Sequence, residues 1–197
     1  MMGKVYQGKA FTFGDNVNTE SIMASSADHG AHLPIAECLR FYDPNFAKEM
    51  SSGDFIVAGK NFGNSSSRPA ALVLKAMDLR AIICESSARI FYRNTWNIGV
   101  PVLECPGVLS IVERGDELAV DIENGQIKNL TNGKEIQAEA PIPLLLERWE
   151  VGGMIEWIKQ HPENYPTVIK FHSAGVRKNV EGFFGEVNEA DAVHDKG

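Results

Sequence analysis

The feature that most restricts the fold lies mid-chain, where three short apolar runs alternate with two segments of helical spacing. The runs are 54–58 (Asp-Phe-Ile-Val-Ala), 81–84 (Ala-Ile-Ile-Cys) and 100–104 (Val-Pro-Val-Leu-Glu). Each is strand-length and too short for a helix. Between the first two, residues 69–78 place Leu72, Val73, Ala76 and Met77 at helical intervals, and Pro69 suits a first helical turn. Between the second and third, residues 86–97 read as a helix, with a serine positioned to cap it and Gly99 just past its end. Strand, helix, strand, helix, strand with short links implies parallel strands joined by helical crossovers.

The flanks are simpler. Residues 4–13 alternate loosely and read as a strand or hairpin, followed by a turn-rich polar stretch over 14–20. Residues 24–34 are small and polar and read as a loop. A helical segment follows over 35–41 and is broken by Asp43-Pro44, with a second short helix over 45–50. After Pro106 the pattern changes, with a short helix or loop over 107–115. Short strands at 116–122, 126–130 and 134–138 are punctuated by Asn124-Gly125 and Asn132-Gly133, both hairpin signals. Residues 143–151 and 153–161 read as helical pieces. The expected fold is α/β: a central, mainly parallel sheet flanked by helices, with additional β hairpins. One domain is expected over 1–165, and 166–197 is read as a partly flexible C-terminal extension.

Composition narrows the partners. A chain of 197 residues suits one domain plus a tail. A net charge of −7 argues against a nucleic-acid partner, because phosphate binding needs clustered Lys and Arg. Apolar runs such as 81–84 and 141–146 are far too short to span a bilayer. Residues 1–10 lack an apolar signal core, so the expected location is the cytoplasm. Cys38, Cys84 and Cys105 are odd in number and widely spaced, which fits neither a disulfide framework nor a metal site. Cys84 ends an apolar run and reads as a buried thiol. No cofactor is expected on this chain.

The chemistry is concentrated in residues 59–68, Gly-Lys-Asn-Phe-Gly-Asn-Ser-Ser-Ser-Arg. This stretch leaves a parallel strand at its carboxyl end and opens a helix, the usual ligand position in open α/β sheets. Free backbone N–H groups at a helix start attract carboxylate or phosphate. Ser65, Ser66 and Ser67 add hydroxyls, and Arg68 adds a fork for bidentate carboxylate binding. A plain capped strand–helix turn would use the same serines and glycines, and the residues alone leave both readings open. A Walker loop is disfavoured because the Gly-Lys-Ser/Thr ending is missing. A Gly-x-Ser-x-Gly elbow is also absent.

This loop resembles the Gly-x-Asn-Phe-Gly-Cys-Gly-Ser-Ser-Arg-Glu signature of the 3-isopropylmalate dehydratase small subunits, the detached swivel domains of the aconitase superfamily. Residues 13–22 are similar to the family's Asp-x-Val-Asp-Thr-Asp-x-Ile segment, and residues 86–94 to its Ser-Phe-Ala-Arg-Ile-Phe-Tyr-Arg-Asn helix. Ile98-Gly99-Val100-Pro101 follows in place, so the match runs from about residue 4 to residue 160. The resemblance implies a swivel-type domain and a hydro-lyase acting on a hydroxy di- or tricarboxylic acid related to isopropylmalate. It implies a large-subunit partner carrying a [4Fe–4S] cluster. It makes Ser66 the catalytic base, Arg68 the carboxylate-holding residue and Ser67 its hydrogen-bonding support. Ser65 and Asn64, from the same loop, are read as further substrate-binding candidates.

The signature is not intact. Asn64 stands where the family has Cys, Ser65 where it has Gly, and Pro69 where it has Glu. The family's apolar specificity segment is replaced by residues 22–30, in which Asp28 and His29 point to a more polar or differently sized substrate. A solvated loop would contain the same two residues. These departures keep alternatives open: a non-catalytic regulatory or binding subunit, or a standalone enzyme that uses the serine loop without a cluster. Arg89 and Arg93 read as surface or ion-pair positions, and Trp96 as core.

Overall fold

The computed structural model describes residues 4–23, 33–65 and 68–162. Its centre is a seven-stranded sheet in the order β4-β3-β2-β1-β5-β6-β7. The long first strand, β1 (Val5–Phe13), divides its pairing between two halves of the sheet. Ala10 to Phe13 pair in parallel with β2 (Phe55–Ala58), whereas Val5 to Lys9 pair antiparallel with β5 (Glu117–Asp121).

On the parallel side β3 (Ala81–Cys84) and β4 (Val102–Glu104) follow β2. Every residue of β2 and β3 is buried, as expected for parallel strands covered on both faces. On the other side β6 (Gln126–Asn129) and β7 (Glu135–Gln137) continue from β5 through the two Asn-Gly turns. β6 alternates exposed and buried residues, so only one of its faces is covered. The expected hairpins therefore extend the main sheet.

The crossovers are α3 (Ala70–Ala76) and α4 (Arg89–Asn97). Two single-turn helices, α1 (Thr19–Ile22) and α2 (Phe46–Glu49), sit in the β1–β2 connection. The last two helices, α5 (Pro143–Glu150) and α6 (Met154–Gln160), pack against α4 and each other. Phe46 stands edge-on to both Phe11 and Phe13, with ring centroids 5.2 and 5.5 Å apart. On α4 the buried residues are Phe91, Thr95 and Trp96, while Arg89 and Arg93 are exposed, as the sequence indicated. Among the described residues no helix is long and apolar enough to cross a membrane.

Several local readings change. The fourth helix starts at Arg89, and its N-cap is Ala88 without a side-chain cap. Both serines before it, Ser86 and Ser87, precede the capping position; Ser87 donates its N–H and its hydroxyl to Glu104 Oε1, each at 2.7 Å. Pro69 lies at the N-cap of α3, just outside the helix. The helix read over 35–41 is a 3-10 turn at Ile35–Glu37 followed by further turns. The polar stretch over 14–20 ends in α1, whose Asn18 Oδ1 accepts from Ser21 N at 2.8 Å. Most of the loop read over 24–34, and the whole 166–197 extension, lie outside the described residues.

Asp54 ties the start of β2 to its neighbours. It is 5% exposed, and its carboxylate accepts from Lys9 N and Ser51 N, each at 2.8 Å. Asp54→Ala leaves both amides without that acceptor and is expected to cost about 2–3 kcal/mol, read as a lower urea midpoint. Asp54→Asn keeps an acceptor oxygen and is expected to cost less.

Candidate active site

The site is assembled by the continuation of the β1–β2 pairing beyond the ends of both strands. Within the strands, partners are offset by 45 residues, from Ala10 with Phe55 to Phe13 with Ala58. The same offset of 45 recurs in three side-chain hydrogen bonds past the strands. Asp15 Oδ1 accepts from Lys60 N at 2.7 Å, Asn61 Nδ2 donates to Asn16 Oδ1 at 3.0 Å, and Ser65 Oγ donates to Glu20 Oε1 at 2.7 Å. Backbone bonds fill the gaps: Asn16 N to Lys60 O (2.8 Å), Gly63 N to Val17 O (2.7 Å) and Thr19 N to Asn64 O (2.9 Å). On its other side the loop pairs with the approach to α4. Phe62 N donates to Ser86 O at 3.0 Å, Ala88 N to Phe62 O at 2.9 Å, and Asn61 N to Ser86 Oγ at 3.0 Å.

This confinement demands unusual backbone angles. Among the described residues five non-glycines have positive φ, and three of them, Asn16, Asn61 and Ser65, lie in the loop or its clamp. Asparagine tolerates this region; serine does so less readily. Gly63 has φ +75°, and a Cβ there would lie 2.1 Å from Phe91 Cγ. That close approach lets Phe62 and Phe91 meet edge-on at 5.5 Å beneath the loop.

The residues singled out from sequence fall as follows. Asn64 is half-buried and donates one N–H of its amide to Asn61 O at 3.2 Å within the loop. Ser65 is exposed and bound to Glu20. Arg68 is half-buried and shares with Ser65 the wall of a groove of about 240 Å³ between α3 and α4, whose apolar side includes Leu72 and Ile90. Among the described residues Arg68 has no carboxylate partner. The third helix is only seven residues long, so Arg68, more than a helix dipole, supplies the positive charge at this end. Ser66, Ser67, Asp28 and His29 lie outside the described residues. Sequence reasoning missed Glu20 as a partner of the loop. The signal was available in the constant offset between the two matching segments, but only once β1 and β2 were known to be adjacent.

The three thiols are fully buried. Burial pushes Cys38 up to about 12, and burial with the Glu85 carboxylate pushes Cys105 up to about 11. Cys84 is raised further still by burial, then by Glu104 and Cys105. Among the described residues no group of three or more His, Cys, Asp or Glu could hold a metal ion.

The model of the aconitase C-terminal domain family matches residues 10–107, which include the clamp, the loop and both crossover helices. The isopropylmalate/citramalate isomerase small subunit of Methanocaldococcus jannaschii is 40% identical over 164 residues, covering 81% of this chain and 96% of the relative. The chain belongs to the 3-isopropylmalate dehydratase small-subunit family. The 3-isopropylmalate dehydratase small subunit of Caldicellulosiruptor bescii is 42% identical, covering 79% of this chain and 95% of the relative. The 2,3-dimethylmalate dehydratase small subunit of Eubacterium barkeri is 39% identical, covering 77% and 95%. A crystal structure of 3-isopropylmalate dehydratase from M. jannaschii superposes with a TM-score of 0.75 at 32% identity, covering 82% of this chain and 97% of that one. The family members are small subunits of hydro-lyases, and the swivel-type α/β fold expected from sequence is the fold they share.

Two outcomes are expected from this geometry. Gly63→Ala forces a side chain against Phe91 at a positive φ and should cost about 2–3 kcal/mol, measured by thermal or urea unfolding. Iodoacetamide at pH 8 should label none of the three cysteines in the native chain and all three in denaturant, counted by mass spectrometry. Because their folded-state values are raised, the thiols add stability below about pH 9 and lose it as the pH rises beyond that.

Proposed function

We propose that the chain is the small subunit of an aconitase-type hydro-lyase acting on a hydroxy di- or tricarboxylic acid related to isopropylmalate. The observation that carries this reading is the clamp. A strand-to-strand register delivers one loop, with Arg68 at its end, to the carboxyl edge of the parallel sheet, in a chain spanning nearly the full length of its small-subunit relatives. In this reading Ser66, lying between Ser65 and Arg68, takes the proton from the carbon beside a carboxylate. The electron pair released forms the carbon–carbon double bond, and the hydroxyl leaves from the neighbouring carbon. Arg68 holds a substrate carboxylate through its guanidinium fork, and Ser67 supports it by hydrogen bonding. A [4Fe–4S] cluster on a large-subunit partner would supply the Lewis acid for the departing hydroxyl.

The relatives' names span isopropylmalate, citramalate and 2,3-dimethylmalate, which differ in their alkyl groups. The groove beside Arg68 offers Leu72 and Ile90 to an alkyl substituent, each buried methylene contributing roughly 0.8 kcal/mol. Asp28 and His29 are proposed to meet the far end of the substrate.

The test is to purify the chain with cluster-bearing large subunits under anaerobic conditions and assay hydration of unsaturated diacids with different alkyl substituents. Ser66→Ala is expected to lower kcat about 10³-fold, or about 4 kcal/mol, with KM little changed. Arg68→Lys should chiefly raise KM, since a point charge replaces a bidentate fork. Unchanged turnover in Ser66→Ala would remove Ser66 as the base. Stable assembly without turnover on any acid would favour a regulatory subunit.

A further inference from the structure

We infer that Glu20 is a positioning residue for the serine loop, acting through Ser65; the inference rests on the reading of that loop as catalytic. Ser65 is the last described residue before Ser66, and its backbone has φ +66°, where an L side chain is disfavoured. Something must hold it there. Thr19 N donates to Asn64 O at 2.9 Å and fixes the residue before it. The Ser65 hydroxyl donates to Glu20 Oε1 at 2.7 Å and fixes its side chain.

Glu20 is itself well anchored. It occupies the first turn of α1, whose N-cap Asn18 accepts from Ser21 N. Its second oxygen, Oε2, lies 3.4 Å from the Thr19 hydroxyl that donates to it, and Thr19 is buried. The register that places Glu20 opposite Ser65 is the one set by the β1–β2 pairing, with the same offset of 45 residues. Ser65 stands where the family signature has glycine, and glycine would adopt this φ without help. The carboxylate of Glu20 therefore substitutes for the conformational freedom that a glycine would bring. It holds Ser65, the last described residue before the proposed base, in that conformation. Ser65 spends its hydroxyl on this contact, which makes it a structural partner of Glu20 in preference to a substrate ligand.

A double-mutant cycle tests this on the assembled enzyme, with amide hydrogen exchange of the free chain as an independent readout. Glu20→Ala is expected to lower kcat about tenfold, equivalent to 1.4 kcal/mol, with KM changing less than about twofold. The loop amides of residues 60–65 should exchange about tenfold faster. In a Ser65→Gly background the same Glu20→Ala change should cost less than about twofold in kcat, because glycine needs no holding. Glu20→Gln, which keeps an oxygen acceptor, should restore most of the loss. An equal loss from Glu20→Ala in both backgrounds would overturn the proposal, because Glu20 would then act elsewhere, for instance directly on substrate. Unchanged loop exchange in Glu20→Ala would also overturn it. If exchange responds as stated while Ser66→Ala keeps full turnover, the clamp stands and the assignment of the base fails.

Discussion

The structure depends on the parallel register between β1 and β2. Four consecutive pairs, Ala10–Phe55 to Phe13–Ala58, fix two strands side by side. Backbone geometry then propagates that alignment beyond the sheet, so that residues 15–20 and 60–65 run together as an irregular clamp. A loop made of Gly, Asn and Ser has little side-chain mass with which to hold itself. Here its rigidity is borrowed from buried strands, and the conformational entropy of ordering it is offset by hydrogen bonds on both flanks.

The two halves of the sheet contribute differently. The parallel half is enclosed: Phe55 to Ala58 and Ala81 to Cys84 are fully buried, and it carries the loop at its carboxyl edge. The antiparallel half is supported by a buried polar residue. Asn129 is inaccessible to solvent and donates to Ile111 O at 2.8 Å and Asp116 Oδ2 at 2.6 Å, while accepting from Thr131 N at 2.9 Å. Such a fully engaged amide fixes one arrangement, because any slip would leave it unpaired in the core. β1 joins the halves by sharing its length between them, so the loop's platform and the hairpins belong to one continuous sheet.

Much of this was legible in the residues. The buried runs at 54–58 and 81–84, the helical spacing of Leu72 to Met77, the two Asn-Gly turns and the core role of Trp96 are local patterns, and local patterns follow from periodicity. Readings failed where a boundary moved by a residue or two. The helix starts at Arg89 with Ala88 at its N-cap, so Ser86 and Ser87 fall before the capping position and Ser87 donates to Glu104. The 35–41 segment has helical composition, yet Leu39 takes a positive φ and the chain turns instead.

By itself the sequence determined the α/β class, the position of the loop between a strand and a helix, and the likeness to dehydratase small subunits, because each depends on residues close together along the chain. Only the tertiary structure decided what faces the loop. Glu20 and Ser65 are 45 positions apart, and neither residue's chemistry names the other. Their contact exists because two strands pair in parallel at one register, and a register is a property of the folded sheet rather than of either segment.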